Sequence, residues 1–272
     1  GSMGQLMQII GNYDEALSLL MKAQAILHQI GVTNNEIATL DSIATLYSII
    51  GNHESALEHY QNALQLSKTT QSLYHEAALL NNIGELYAKL QQHDDAMRSL
   101  HQGLAIAQQQ GYSVVSVEVR LNIGMLHKQQ GDIPEALRWC RAALQEIQKN
   151  NAWKAEVGAL YAVGSLLIEN GEIPKGIAML QQGVSLLHSV KAANNDIRAK
   201  LHKTLSDTYK QQGEFEAAFQ HYVSHHQAHT SVITAEHDRN RQMLMMQFDL
   251  RQTRNDAEMY RQRAEQLQQV MQ

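Results

Sequence analysis

The sequence predicts an all-α array of stacked helical hairpins ending in one long helix, and three observations carry that prediction. A short turn phrase recurs at near-constant spacing, and apolar residues at helical spacing fill the intervals between its copies. From Phe215 to Gln272 there is neither a glycine nor a proline, so nothing in that stretch ends a helix.

The turn phrase is a small or polar pair followed by an alanine five residues on. It reads Gly11-Asn12-Tyr13-Asp14-Glu15-Ala16, Gly51-Asn52-His53-Glu54-Ser55-Ala56, Gln91-Gln92-His93-Asp94-Asp95-Ala96, Gly131-Asp132-Ile133-Pro134-Glu135-Ala136, Gly171-Glu172-Ile173-Pro174-Lys175-Gly176 and Gly213-Glu214-Phe215-Glu216-Ala217-Ala218. Successive anchors lie 40, 40, 40, 40 and 42 residues apart. A glycine at the anchor can take the left-handed conformation that ends a helix. The acidic or amide residue after it can cap the next helix, and Pro134 and Pro174 fall in a first turn, where a missing N–H costs nothing. The phrase is therefore a helix-turn-helix hinge.

Before each hinge runs a first helix: Leu40, Ile43, Ala44, Tyr47; Leu80, Ile83, Gly84, Tyr87; Ile123, Gly124, His127; Leu160, Val163, Gly164, Leu167; Leu205, Tyr209. After it runs a second, with Ala56, Leu57, Tyr60, Ala63 and Leu64, or Ala136, Leu137, Cys140, Ala143 and Leu144, on one face. Small residues in the middle of the first helix and at the start of the second let the two backbones approach closely.

Small-x-x-Tyr, then Gly-Asp/Asn, then Ala five residues past the glycine resembles the tetratricopeptide repeat, and the 40-residue period resembles its long-helix variety. The resemblance covers about residues 4 to 230 and implies a right-handed superhelix of about five and a half repeats. The early Trp of that motif is absent, and Gln91 and Gly176 depart from it. Gly4 and Met7 already match the middle of a first helix, so the array is expected to extend upstream; Gly1 and Ser2 read as a cloning remnant. The expected domains are a solenoid over 4–231, with hinges near 11, 51, 91, 131, 171 and 213, and a signalling helix over 232–272.

In such arrays the first helices line a concave groove. Alignment to the hinge puts Asp41, Thr45, Asn81, Glu85, Lys89, Leu121, Met125, Lys128, Tyr161, Ser165, Glu169, Lys203, Asp207 and Lys210 at its inward positions. The resemblance implies that the groove takes an extended peptide or a partner's helix; the plain alternative is a solvated face. The Lys and Asn pattern with which some relatives clamp a terminal carboxylate is not reproduced.

The last helix fits a heptad frame, with Met243, Leu250, Ala257, Ala264 and Met271 at a and Met246, Thr253, Tyr260 and Leu267 at d. Asp249 and Asp256 stand at g, with Arg254 and Arg261 at e five residues later, the spacing of opposite charges across a parallel two-stranded coil. A parallel homodimer is expected; the alternative is one amphipathic helix folded back on the array. Glu236-His237-Asp238-Arg239 and Asn255-Asp256-Ala257-Glu258-Met259-Tyr260-Arg261-Gln262-Arg263 resemble the signalling helix that follows repeat arrays in bacterial sensors. That resemblance implies an output domain downstream, most often a diguanylate cyclase of the GGDEF type, controlled by how two tails pair.

Other chemistry is disfavoured. A net charge of −5 with mixed signs leaves no basic stripe to neutralise a phosphate backbone. The lone Cys140 cannot form an internal disulfide and suits a reducing compartment, so a cytoplasmic protein is expected. Apolar runs are far short of the roughly 20 residues that span a bilayer, and no membrane association is expected. His221, His225 and His229 recur at four-residue steps and are a weak candidate for zinc or nickel, but the chain holds 14 histidines and no third ligand stands near. His237-Asp238 with Gln242 and Leu244 echoes a phospho-accepting helix, yet the same residues fit the signalling helix. With no phosphate loop, paired carboxylates or nucleophile elbow, neither catalysis nor a cofactor is expected. The rival to a sensory region is a free-standing scaffold or peptide receptor, like the pheromone-binding repeat regulators of Gram-positive bacteria.

Overall fold

The computed structural model describes residues 2–148, 153–190 and 194–234. Regular structure among them is entirely helical: α1 (Ser2–Ile30), α2 (Thr33–Ile50), α3 (His53–Thr69), α4 (Leu73–Lys89), α5 (His93–Gln110), α6 (Ser113–Gln129), α7 (Ile133–Gln148), α8 (Trp153–Glu169), α9 (Ile173–Ser189), α10 (Asn195–Gln211) and α11 over 215–234. By contacts the chain divides into two compact units, 1–186 and 187–272.

In the first unit each of α1 to α7 packs on the helix after it, and first helices also touch each other, α2 on α4 and α4 on α6. The turns follow from backbone chemistry. Gly51 takes φ 88 and its N–H bonds Ser48 O, while the Asn52 N–H reaches Tyr47 O at 2.9 Å. Two carbonyls that the helix end leaves open are thereby satisfied. Asn52 then caps α3 by accepting from the Ser55 N–H, and Asp132 caps α7 by accepting from the Glu135 N–H. Gln91 adopts φ 59 and makes the same pair of bonds as Gly51, at a steric cost that glycine avoids.

Close approach of the helices in a pair explains the small residues. A Cβ on Gly84 would lie 2.6 Å from Leu100 Cγ, one on Gly124 2.5 Å from Cys140 Sγ, and one on Gly164 2.8 Å from Leu180 Cδ2. The second helix seats a large side chain in the notch that each glycine leaves. Gly176, the departure from alanine, is confined by backbone as well, since its Cβ would stand 2.7 Å from the Gly164 carbonyl oxygen. Around these notches the apolar faces merge. Ile37, Leu40, Ala44, Ala56, Tyr60, Ala63, Leu79 and Ile83 form one buried cluster, and Leu137, Cys140, Leu144, Leu160, Val163 and Leu167 belong to another.

The expected hinge at Gly11 is corrected: α1 runs unbroken through it from Ser2 to Ile30. A hinge gives up backbone hydrogen bonds and is repaid only when two helices long enough to bury a shared face fold together. A glycine inside a helix costs only about 1 kcal/mol, and an unbroken α1 keeps those bonds.

The second unit contains α10, the turn at Gly213 (φ 80) and α11. Leu201 and Leu205 are fully buried, as are most of Ala199, Ala218 and Ala228. Here the first helix carries Ser206 where α4, α6 and α8 carry glycine and α2 carries Ala44, and its Oγ donates to the Ala218 carbonyl oxygen at 2.8 Å. The expected coiled-coil seam, from Met243 to Met271 with its Asp249, Arg254, Asp256 and Arg261 pairs, lies outside the described residues.

Candidate functional site

A row of polar side chains crosses from one first helix to the next in the first unit. On α4, Asn82 donates from Nδ2 to Asp41 Oδ1 of α2 at 2.8 Å, while Asn122 of α6 donates to Asn81 Oδ1 at 2.9 Å. Asn81 is buried, and it donates to its neighbour Asn82 at a longer 3.4 Å. Four residues on three helices therefore form one chain of hydrogen bonds. Farther along, Lys128 of α6 reaches Glu169 of α8 at 2.6 Å. Each of these inter-helix bonds joins residues 41 apart, one more than the repeat, so each helix bonds to the position just past its equivalent.

The electrostatics follow from partial burial. Desolvation holds the Asp41 carboxyl above the usual carboxylate range, opposed by the Asn82 hydrogen bond and by His75. Thr45 Oγ1 and Tyr60 OH lie 2.9 Å apart, and burial, helped by Asp41 and Glu85, pushes the Tyr60 phenol up to about 12. Tyr60 is therefore a neutral phenol at any physiological pH. Glu85 pairs with Lys89 one turn on, at 2.8 Å, both half-exposed.

Of the expected groove residues, the structure links Asp41 with Asn81 through Asn82, Lys128 with Glu169, Glu85 with Lys89, and Thr45 with Tyr60. Leu121 and Tyr161 are half-buried and Met125 is exposed, and the Ser165 hydroxyl oxygen is buried with no hydrogen-bond partner among the described residues. Lys203, Asp207 and Lys210 are exposed on α10, in the second unit. Asn82, Asn122 and Tyr60 were missed. The first two follow an inward position by one residue, and a polar amide amid an apolar helix pattern was the signal that could have found them.

The histidines belong to packing. His202 Nδ1 lies 2.8 Å from His221 Nδ1, and the His221 ring stacks on Tyr209. Two neutral imidazoles share one proton there; two nitrogens each about 2.1 Å from one zinc stand farther apart. Burial, with His221, Arg198 and His225 nearby, brings the His202 pKa down to about 4. His225 donates from Nδ1 to the Ala199 carbonyl oxygen, and its ring stacks on His229. Among the described residues, no group of three His, Cys, Asp or Glu could hold a metal ion. Cys140 is buried and its thiol is pushed up to about 12 by desolvation, so it is inert. No described helix is long and apolar enough to cross a membrane.

Comparison with known proteins bears on the fold. A family model described as tetratricopeptide repeat matches residues 1–69 and 74–149, more than half of the chain. No curated protein sequence matches significantly. Among solved structures, BtubC (BKLC) from P. vanneervenii is similar at 14% identity, covering 82% of this chain and 90% of its own, with a TM-score of 0.66. A Rap protein complexed with competence and sporulation factor is similar at 15% identity, over 85% and 74%, with a TM-score of 0.61. The Rap conjugation gene regulator of a plasmid, in complex with a peptide, is similar at 17% identity, over 84% and 73%, with a TM-score of 0.61. At such identities the likeness is one of fold.

Proposed function

Because the chain belongs to the tetratricopeptide repeat family, we propose that it is a binding region that takes an extended peptide or protein segment along its first helices. The observation that carries this reading is the row Asp41, Asn82, Asn81, Asn122 with the Lys128–Glu169 pair beyond it. Amide side chains carry both donors and acceptors. A row of them can exchange bonds with a peptide backbone whatever its sequence, while Lys89, Lys128, Glu85 and Glu169 select charge and Leu121, Met125 and Tyr161 supply apolar contact. In the second unit Lys203, Asp207 and Lys210 would contact a ligand there.

In this reading the region belongs to a bacterial cytoplasmic signalling protein. Ligand binding alters how two C-terminal helices pair through Met243, Met246, Leu250, Ala257, Tyr260, Ala264, Leu267 and Met271, and pairing controls an output domain, a diguanylate cyclase. The two Rap structures, each solved with a bound factor or peptide, favour a second reading, a free-standing peptide receptor.

The test is fluorescence anisotropy with a pooled library of labelled random decapeptides, on the full chain and on an Asn81→Ala, Asn122→Ala double variant. Saturable binding weakened at least tenfold in the double variant supports the groove; equal binding by both proteins contradicts it. Sedimentation of the bound and free chain then separates the readings. A ligand that changes the association state favours the sensor, and one that does not favours the receptor.

A further inference from the structure

A cavity of about 390 Å³ opens between α1, α2 and α3, and it holds a carboxylate. Glu36, in the first turn of α2, lines it and is only 6% exposed. Its Oε1 accepts from Gln24 Nε2 of α1 at 3.5 Å and lies 2.9 Å from Nδ1 of His28, whose side chain is 75% exposed. Among the described residues no hydrogen bond reaches Oε2, and neither a lysine nor an arginine lines the cavity. A carboxylate withdrawn from water is costly unless a cation or several donors meet it.

The repeat itself shows what such a space takes. The equivalent interval two repeats on lies between α5, α6 and α7, where Glu36, Leu40 and Leu66 become Ser116, Arg120 and Glu146. Each interval begins at a helix ended by a glycine of φ 72, Gly31 and Gly111, which fixes the register. There the chain supplies its own cation. Arg120, with a side chain 17% exposed, reaches Glu146 Oε2 at 3.2 Å and donates from Nε to Ser116 Oγ at 3.4 Å. Ser116 in turn donates to the same Glu146 oxygen at 3.2 Å. The interval at α1 has a carboxylate without the cation, because Leu40 stands where Arg120 does. A second difference makes it polar: Gln24 occupies the position of Leu64, Leu104 and Leu144, which pack into the apolar core.

We propose that this cavity binds a guanidinium group on an alkyl stem, with Glu36 as its anion. A ligand then completes at α1 the pairing that Arg120 makes within the chain. Guanidinium is a planar fork of donors that matches a carboxylate, and Oε2 of Glu36 is open to it. Asn62, Gln65 and Thr69 of α3 line the cavity and offer oxygen acceptors to the remaining N–H groups, while Leu40 and Leu66 give the stem an apolar wall. The volume is that of a small ligand pocket. A neutral ligand leaves the carboxylate unpaired, and an anion is repelled by it. The site stands apart from the peptide groove, since none of Asp41, Asn82, Asn81 and Asn122 lines it. Two sources present this fork, a free alkylguanidine and the arginine side chain of a peptide.

The test is calorimetric titration of the full chain with butylguanidinium and with an acetylated, amidated Ala-Arg-Ala peptide. Butylurea, of the same shape and uncharged, is the control. The expected result is saturable binding of at least one guanidinium ligand, with a Kd on the order of 1 mM as suits so few atoms, and none of butylurea. Glu36→Gln should weaken that binding at least tenfold with helical content unchanged. Tighter binding of the peptide assigns the site to an arginine side chain, and tighter binding of butylguanidinium assigns it to a free ligand; either supports the proposal. Leu40→Arg, which copies Arg120, should close the site with a guanidinium of the chain's own. Should that variant fail to fold, Gln24→Leu, which installs the residue of the later repeats at a half-buried position, should abolish binding in its place. No saturable binding at ten times that concentration, equal binding by the native chain and Glu36→Gln, or butylurea binding as well as butylguanidinium overturns the proposal.

Discussion

The first unit and the α10–α11 hairpin share one sequence plan and close by different chemistry. In the first unit Gly84, Gly124 and Gly164 open notches that Leu100, Cys140 and Leu180 fill. In the last hairpin Ser206, His202 and His225 tie α10 to α11 by hydrogen bonds. Apolar seating is indifferent to pH and intolerant of volume. Polar ties tolerate volume and depend on protonation. One hinge spacing thus carries two kinds of hairpin, and it is the polar one whose second helix presents exposed rings, at Phe215, Phe219 and Tyr222.

The comparison can be broken first by volume. Gly124→Ala puts a methyl against Cys140 Sγ and 3.1 Å from Ala136 O, and overpacking of this kind costs about 1–3 kcal/mol. Urea denaturation should show that loss, and Cys140→Ala in the same chain should restore part of it. Ser206→Gly, by contrast, should cost about 1 kcal/mol through the lost hydrogen bond, although in the first unit glycine is the residue that fits. Asn81→Ala should also cost about 1 kcal/mol, since it leaves the Asn122 amide without its acceptor, and it should weaken peptide binding more than it weakens the fold. The smallest change is a gain: Gln91→Gly relieves a left-handed residue and should stabilise by up to about 1 kcal/mol, read as a rise in Tm.

The helical class and the repeat were legible in the sequence because they are local. A left-handed glycine and the capping residue directly after it are written within one hinge, and the apolar spacing needs no knowledge of neighbours. The continuity of α1 through Gly11 was not legible. Whether a glycine bends or continues a helix depends on what its flanks can pack against. Of the candidate site, alignment singled out Asp41, Asn81 and Lys128 as expected inward positions, but their partners Asn82, Asn122 and Glu169 lie 41 residues on, one position past the repeat. Glu169 was expected in the groove; its pairing with Lys128 was not. Nor did the stripe His221, His225 and His229 predict His202, which stands on another helix and takes His221 as its partner.

The most direct test of the two-chemistry account is hydrogen exchange resolved by segment, corrected for intrinsic rates, at pH 7.5 and pH 4.5. Burial lowers the His202 pKa from 6.5 to about 4 in the folded state, so between those values the unfolded chain binds the proton more readily. Stability that is complete above about pH 6.5 must therefore fall as the pH drops towards 4. The account predicts that protection over 195–234 falls at pH 4.5 and that His202→Gln removes most of this dependence, while protection across α4 to α7 holds. Equal loss in both segments, or none in 195–234, would contradict it.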